Sequence, residues 1–198
     1  MSRFDRLVEG RRNWLRLPEL TSGHGDVVEF LREQVATGEV LLHGSNSRTV
    51  ERFEPREQTS YRGVPVRAVF ATPDPVWPLF FATTDTARAD SRWNMCLLPQ
   101  RSGAARTRYF FSVGAPPDGV WCDGAVYLLP RAAFTPSDEP SEWVATRAVD
   151  PVAVVPVTPA AFPFRHLVFR HVATEPEWRH DLRLVLAGAR SRLGRRPA

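Results

Sequence analysis

The chain has no lysine: every one of its 26 basic residues is an arginine. That absence excludes Schiff-base chemistry on a lysine amine. It also excludes the lysine of Walker-type phosphate loops and the strand lysine of kinase-like phosphoryl transfer. Cysteine is scarce. Cys96 and Cys122 are too few for a disulfide framework or a zinc set, which suits a reducing compartment. No stretch approaches the roughly 20 apolar residues that span a bilayer. The arginine-rich N-terminal region has no apolar signal-peptide core, so a cytoplasmic protein is expected. The chain also lacks GxSxG, HExxH, CxxC and EF-hand signatures. Gly23-His24-Gly25 opens like a dinucleotide fingerprint, but Val28 stands where the third glycine belongs. His166 and His171 are an odd number of positions apart and would take opposite faces of one strand. No metal site is expected.

What is present is ordinary for a globular domain: 198 residues, 43% hydrophobic and 24% charged. The net charge of +4 permits a nucleotide or nucleic-acid partner, since guanidinium groups bind phosphates bidentately. Much of that charge sits at the ends: Arg3, Arg6, Arg11, Arg12 and Arg16, then Arg190, Arg192, Arg195 and Arg196. Solvated termini account for it, with a basic nucleic-acid-binding domain as the alternative.

Residues 1–25 read as a lead-in, and 26–198 as a single domain. A helix is predicted over 26–37, with Asp26 as N-cap, Glu29 completing a capping box and Gly38 as stop. Its apolar face would be Val27, Phe30, Leu31 and Val35. A short apolar strand from Glu39 ends at His43, and 48–65 reads as a polar loop. A strand over 66–72 leads through Pro73-Asp74-Pro75 into a short helix from Val76 to Ala82, with Asp74 as cap. Further strands are predicted at 107–113, 125–130, 142–148, 152–157 and 164–172, and a second capping box opens a terminal helix over 175–193. An early helix, many short strands and a late helix make an α+β fold. Trp77, Trp93, Trp121 and Trp178 read as packing residues, and Arg101, Arg106 and Arg108 as a solvated group.

One segment suggests chemistry. His43-Gly44-Ser45 closes a buried strand. Gly44 lets a ligand approach the backbone closely and leaves a paired N–H and C=O, and Ser45 adds a hydroxyl. One donor, one acceptor and one hydroxyl suit a planar carboxamide, although a plain strand-ending turn has the same composition.

Leu41-Leu42-His43-Gly44-Ser45 resembles the first motif of the ADP-ribosyltransferase superfamily, in its poly-ADP-ribose-polymerase-like H-Y-E branch. Val69-Phe70-Ala71-Thr72 followed by Phe80-Phe81-Ala82 is similar to the second motif. Gly124 to Pro130, then Glu142-Trp143-Val144-Ala145-Thr146 leading to Val149-Asp150-Pro151, resembles the third in small bacterial members. The resemblance implies a split β-sheet clamp that binds NAD as substrate in its cleft. It implies that His43 bonds a ribose hydroxyl, and that Gly44 and Ser45 hold the nicotinamide carboxamide. Phe80 or Phe81 would stack on the nicotinamide ring. Glu142, ahead of Asp138 and Glu139, would bond the ribose 2′-OH and stabilise the oxocarbenium-like transition state. The branch's tyrosine is missing. Its place falls at Val69 or Phe70, with Thr72 as a nearby polar group, which favours transfer of single ADP-ribose units over polymer synthesis. The acceptor would be a protein, a nucleic acid, a small molecule or water. A neutralising partner protein is compatible with such a toxin-like enzyme. A silent nucleotide-binding module of the same fold is the other reading.

Overall fold

The computed structural model describes residues 24–59, 65–97, 108–139 and 141–171. In chain order they form helix α1 (His24–Ala36) and strands β1 (Val40–Ser45), β2 (Arg56–Thr59) and β3 (Pro65–Ala71). Helix α2 (Trp77–Thr83) follows, then β4 (Arg92–Leu97), β5 (Arg108–Val113), β6 (Gly124–Pro130) and β7 (Thr135–Pro136). Strands β8 (Trp143–Ala145), β9 (Ala153–Val157) and β10 (Phe169–Arg170) complete the set. The α+β class holds. The chain separates into two compact units, one built from segments up to Thr84 with Cys122–Pro163, the other from Asp85–Trp121 with the segment from Phe164 onward.

In the first unit β6 is the middle of a three-stranded sheet ordered β1-β6-β9. Its sequence Gly-Ala-Val-Tyr-Leu-Leu is buried throughout, the continuous apolar run of a strand covered on both faces. One face meets a cluster of Leu41, Ala125, Tyr127, Leu129 and Val154 with Val69, Ala71, Phe134, Ala145 and Val149. The other face carries α2, whose Pro78, Leu79, Phe80, Ala82 and Thr83 are all buried. A helix apolar on nearly every side belongs inside a domain. Two glycines seat it. A Cβ on Gly44 would lie 2.0 Å from the Pro78 carbonyl oxygen, and one on Gly124 2.0 Å from that of Ala82. Asp74 Oδ1 accepts the Val76 and Trp77 N–H groups at 2.8 and 3.1 Å in the turn before the helix, while Val76 takes the N-cap position expected for Asp74. A second sheet, ordered β2-β3-β8-β7, lies beside the first.

Helix α1 buries Val27 and Leu31 on the predicted face, and Gly38 ends it at φ 77°. It begins at His24, which puts Asp26 inside the first turn instead of at the cap. In the second unit β5 pairs antiparallel with β4 and parallel with β10. Tyr109, Phe111 and Phe164 stack there with ring centroids 5.3–6.2 Å apart.

Four expectations need correction. Residues 48–65 are not all loop: Arg56–Thr59 pairs with β3, and Phe53 forms a bridge with Val149. The strand expected at 142–148 is only Trp143–Ala145: Ser141 at φ 67° turns the chain just before it, and the chain bends again at Thr146 and Arg147. The strand expected at 164–172 opens as a 3₁₀ turn, Arg165–Leu167, and pairs only at Phe169–Arg170. His166 and His171 therefore do not share a strand. Strand β4 falls where no strand is expected, although Arg92-Trp93-Asn94-Met95 alternates polar and apolar residues as a half-buried strand does. The lead-in up to residue 23, Arg101, Arg106 and the terminal helix over 175–193 lie outside the described residues.

Candidate functional site

Among the described residues, a bridge between Leu42 and Thr72 joins the two sheets of the first unit. Leu42 N–H donates to Thr72 O at 2.8 Å and Thr72 N–H to Leu42 O at 3.0 Å. Backbone groups alternate sides along a strand, so Gly44 directs its N–H and C=O to the same edge as Leu42, toward β3. Continuing the ladder would set Gly44 opposite Phe70. Instead the Phe70 carbonyl accepts a hydrogen bond from His43 Nδ1 at 2.7 Å. The imidazole takes up the carbonyl that the next rung would use. The sheet is split at this point.

That bond fixes the histidine tautomer. A carbonyl only accepts, so Nδ1 carries the proton and the neutral ring has its lone pair on Nε2. The ring packs on Phe53 at 4.6 Å, and Phe53 sits edge-on to Tyr127 at 5.0 Å. The Tyr127 hydroxyl donates to Ser47 O at 2.9 Å and accepts from Val50 N–H at 3.0 Å. Burial pushes its pKa up. Arg48 ties the same turn to the ends of β6 and β9 through Gly124 O at 3.2 Å and Val157 O at 3.3 Å. The turn after β1 is thus held from within and from without.

Asn46 fixes the far end of α2. Its Nδ2 lies 3.2, 2.9 and 3.0 Å from the carbonyl oxygens of Phe81, Ala82 and Thr84. These belong to the last-turn carbonyls that a helix leaves without internal partners. Phe80 is fully buried, against Phe81 at 5.3 Å and Phe162 at 5.7 Å. Phe81 is half-buried. Val69 faces the shared core and Phe70 is half-buried. Thr72 uses its hydroxyl to accept the Asp74 N–H at 3.0 Å, a local turn contact. Ser45 Oγ accepts from Ser47 N–H at 3.2 Å and keeps its own proton to donate. The Trp77 indole N–H, at the start of α2, is buried without a hydrogen-bond partner.

Glu142 stands one residue before Trp143, which pairs with Ala71 of β3. It therefore falls at the level of Thr72, across β3 from β1. Two strand spacings, roughly 10 Å, separate it from the β1 backbone. Its carboxylate accepts from Ser137 Oγ at 2.9 Å, and its backbone closes the turn through Ser137 N–H at 2.9 Å and Glu139 O at 3.1 Å. Partial burial raises its pKa, with the Glu139 charge adding to the rise and the Ser137 hydrogen bond opposing it. Asp138 is exposed and Glu139 half-buried. Beside this turn, Arg131 stacks 4.3 Å over the Trp143 ring.

His43, Gly44, Phe70 and Thr72 are thus gathered around the split, whereas Phe80 and Phe81 belong to α2, which packs on the face of the β1-β6-β9 sheet opposite to the one His43 shares with Phe53 and Tyr127. Glu142 lies across β3 from the split, held by Ser137 and not by His43. Sequence reasoning missed Phe53, Asn46 and Tyr127, the residues that hold His43 and α2 in place. Asn46 follows Ser45 directly and was within reach of the motif. Phe53 was not, because its partner Val149 is distant in the chain. No protein-family model, no curated protein and no solved structure matches this chain.

Proposed function

We propose that this protein is an NAD-dependent mono-ADP-ribosyltransferase, or an NAD glycohydrolase when water is the acceptor. The observation that carries the reading is the split between β1 and β3. It leaves the N–H and C=O of Gly44 facing a gap in the ladder, as a donor and acceptor pair matched to a carboxamide. On this reading His43 is the residue that bonds a ribose hydroxyl, and Phe80 or Phe81 of α2 is the ring that stacks on nicotinamide.

The reaction this site would support breaks the bond between the ribose C1′ and the nicotinamide nitrogen. Nicotinamide leaves with the bonding electrons, a nucleophile adds to C1′, and the nucleophile's proton is released. Positive charge develops on the sugar in between. A fixed carboxylate in a partly desolvated position stabilises that charge far more than one in bulk water. We assign that role to Glu142, which Ser137 restrains; it lies across β3 from the split, so the nicotinamide ribose would have to extend past Thr72 to reach it.

Incubation with NAD should release nicotinamide. His43→Ala should weaken NAD binding by about tenfold, the loss of one hydrogen bond of about 1.4 kcal/mol. Saturable binding with no release would favour the silent module. No NAD binding in calorimetry would reject the proposal.

The reaction should also lose rate in acid, as Glu142 takes up its proton. Because its pKa is raised, that limb should lie above the ordinary glutamate value of about 4.3. Ser137→Ala removes the hydrogen bond that lowers the pKa and should move the limb to higher pH. Glu139→Gln removes the like charge and should move it lower. Identical profiles in all three proteins would mean that another group controls the rate.

A further inference from the structure

The second unit holds a cluster that the NAD reading does not use. Ser91 Oγ lies 2.7 Å from His171 Nε2, and His171 Nδ1 lies 3.0 Å from Ser112 Oγ. The topology explains the meeting. Ser112 is in β5, between Trp93 of β4 and Phe169 of β10 in the register. Ser91 is two residues before Trp93 and His171 two after Phe169, so the three share one face of the sheet. His171 is anchored by its backbone N–H to Val113 O at 2.9 Å. Ser112 is fully buried, whereas Ser91 is exposed.

The backbone around Ser91 is tight. Asp90 precedes it at φ 55°, in the left-handed region that aspartate tolerates better than most residues. A Cβ at Gly114 would stand 2.7 Å from Ser91 Oγ and 3.1 Å from Ala89 O, so the backbone of Gly114 approaches this turn closely. An exposed hydroxyl on a tight turn, an imidazole within hydrogen-bond reach and a buried group behind the imidazole are the parts of an activated nucleophile.

We propose that Ser91 is a nucleophile with His171 as its general base and Ser112 as a positioning residue, a second site that cleaves activated carboxylic esters. With its proton on Nδ1, donated to Ser112, the imidazole accepts the Ser91 proton at Nε2. Ser91 Oγ bonds to the acyl carbon, the bond to the leaving alcohol breaks, and His171 returns the proton to that alcohol. Water then attacks the acyl-serine through the same base, releasing the acid and restoring Ser91. Ser112 is neutral and does not balance the imidazolium charge as a carboxylate would. The site therefore suits esters whose leaving group is a weak base.

The full chain should hydrolyse p-nitrophenyl acetate about 100-fold faster than buffer, in the range of general-base catalysis. A fluorophosphonate probe should form an adduct that peptide mapping places on Ser91. Ser91→Ala changes an exposed hydroxyl and should leave the melting temperature unchanged while removing both signals. His171→Gln should also remove both. Ser112→Ala should lower kcat more than it changes KM and shift the acid limb of the rate, which in the parent protein follows the imidazole. An adduct on other residues only, or ester hydrolysis that survives Ser91→Ala, would overturn the proposal.

Discussion

Glu142→Gln should reduce nicotinamide release from NAD by about 100- to 1000-fold, the usual effect of removing one electrostatic contact to a developing charge. NAD affinity should change far less, because the charge appears only as the glycosidic bond breaks. Glutamine keeps the length of the side chain and an oxygen that can accept from Ser137, so the turn at 137–142 should keep its form. Stability should move in the opposite direction to activity. The Glu142 pKa is raised in the folded chain, so on a rising pH the unfolded chain gives up this proton first. Between the ordinary glutamate value and the raised one, stability falls as pH rises, and the deficit persists above that window. At neutral pH Glu142→Gln should therefore melt no lower than the parent. Initial rates of nicotinamide release, calorimetric NAD binding and thermal melts test the three statements. A rate within twofold of the parent would remove Glu142 from the chemistry and turn attention to Glu139.

Gly44→Ala should destabilise the fold by about 3 kcal/mol, the upper end of ordinary overpacking. For a chain of this size that corresponds to a melting temperature lower by about 6–12 °C. The added Cβ would lie 2.0 Å from the Pro78 oxygen, 2.8 Å from the Pro78 carbonyl carbon and 2.9 Å from the Ala82 nitrogen. All three are backbone atoms, so no rotamer change relieves the clash. Helix α2 has to lift from β1 or the strand has to bend, and either movement shifts Gly44 at the edge of the split. NAD binding should be lost even in protein that remains folded. Ser45→Ala adds no atoms and should leave the melt close to the parent. A Gly44→Ala protein with unchanged melting and NAD affinity would mean that α2 does not rest on this strand as described.

The part of Gly44 legible in the sequence was its freedom from a side chain. Which neighbour uses that freedom was not. The sequence reading reserved the space for a ligand, whereas the structure fills it with the backbone of α2. On the proposed function it is the strand edge, not the missing Cβ, that would meet NAD. Glu142 shows the same division. The apolar residues Trp143 to Ala145 announce a strand, but the turn that restrains the carboxylate depends on Ser137, Glu139 and the positive φ of Ser141.

Composition and local pattern were enough to exclude lysine chemistry, to set the α+β class and to predict α1, α2, β1, β3 and β6. Those features follow from residue type and from periodicity within a few neighbouring positions. The split of the sheet, the tautomer of His43 and the meeting of Ser91 with His171 follow from pairings between residues 27 to 80 positions apart. Such contacts arise only when strand register and side-chain packing are satisfied together throughout the unit. No window of sequence contains that information, because each contact exists only once the rest of the core has set its distance.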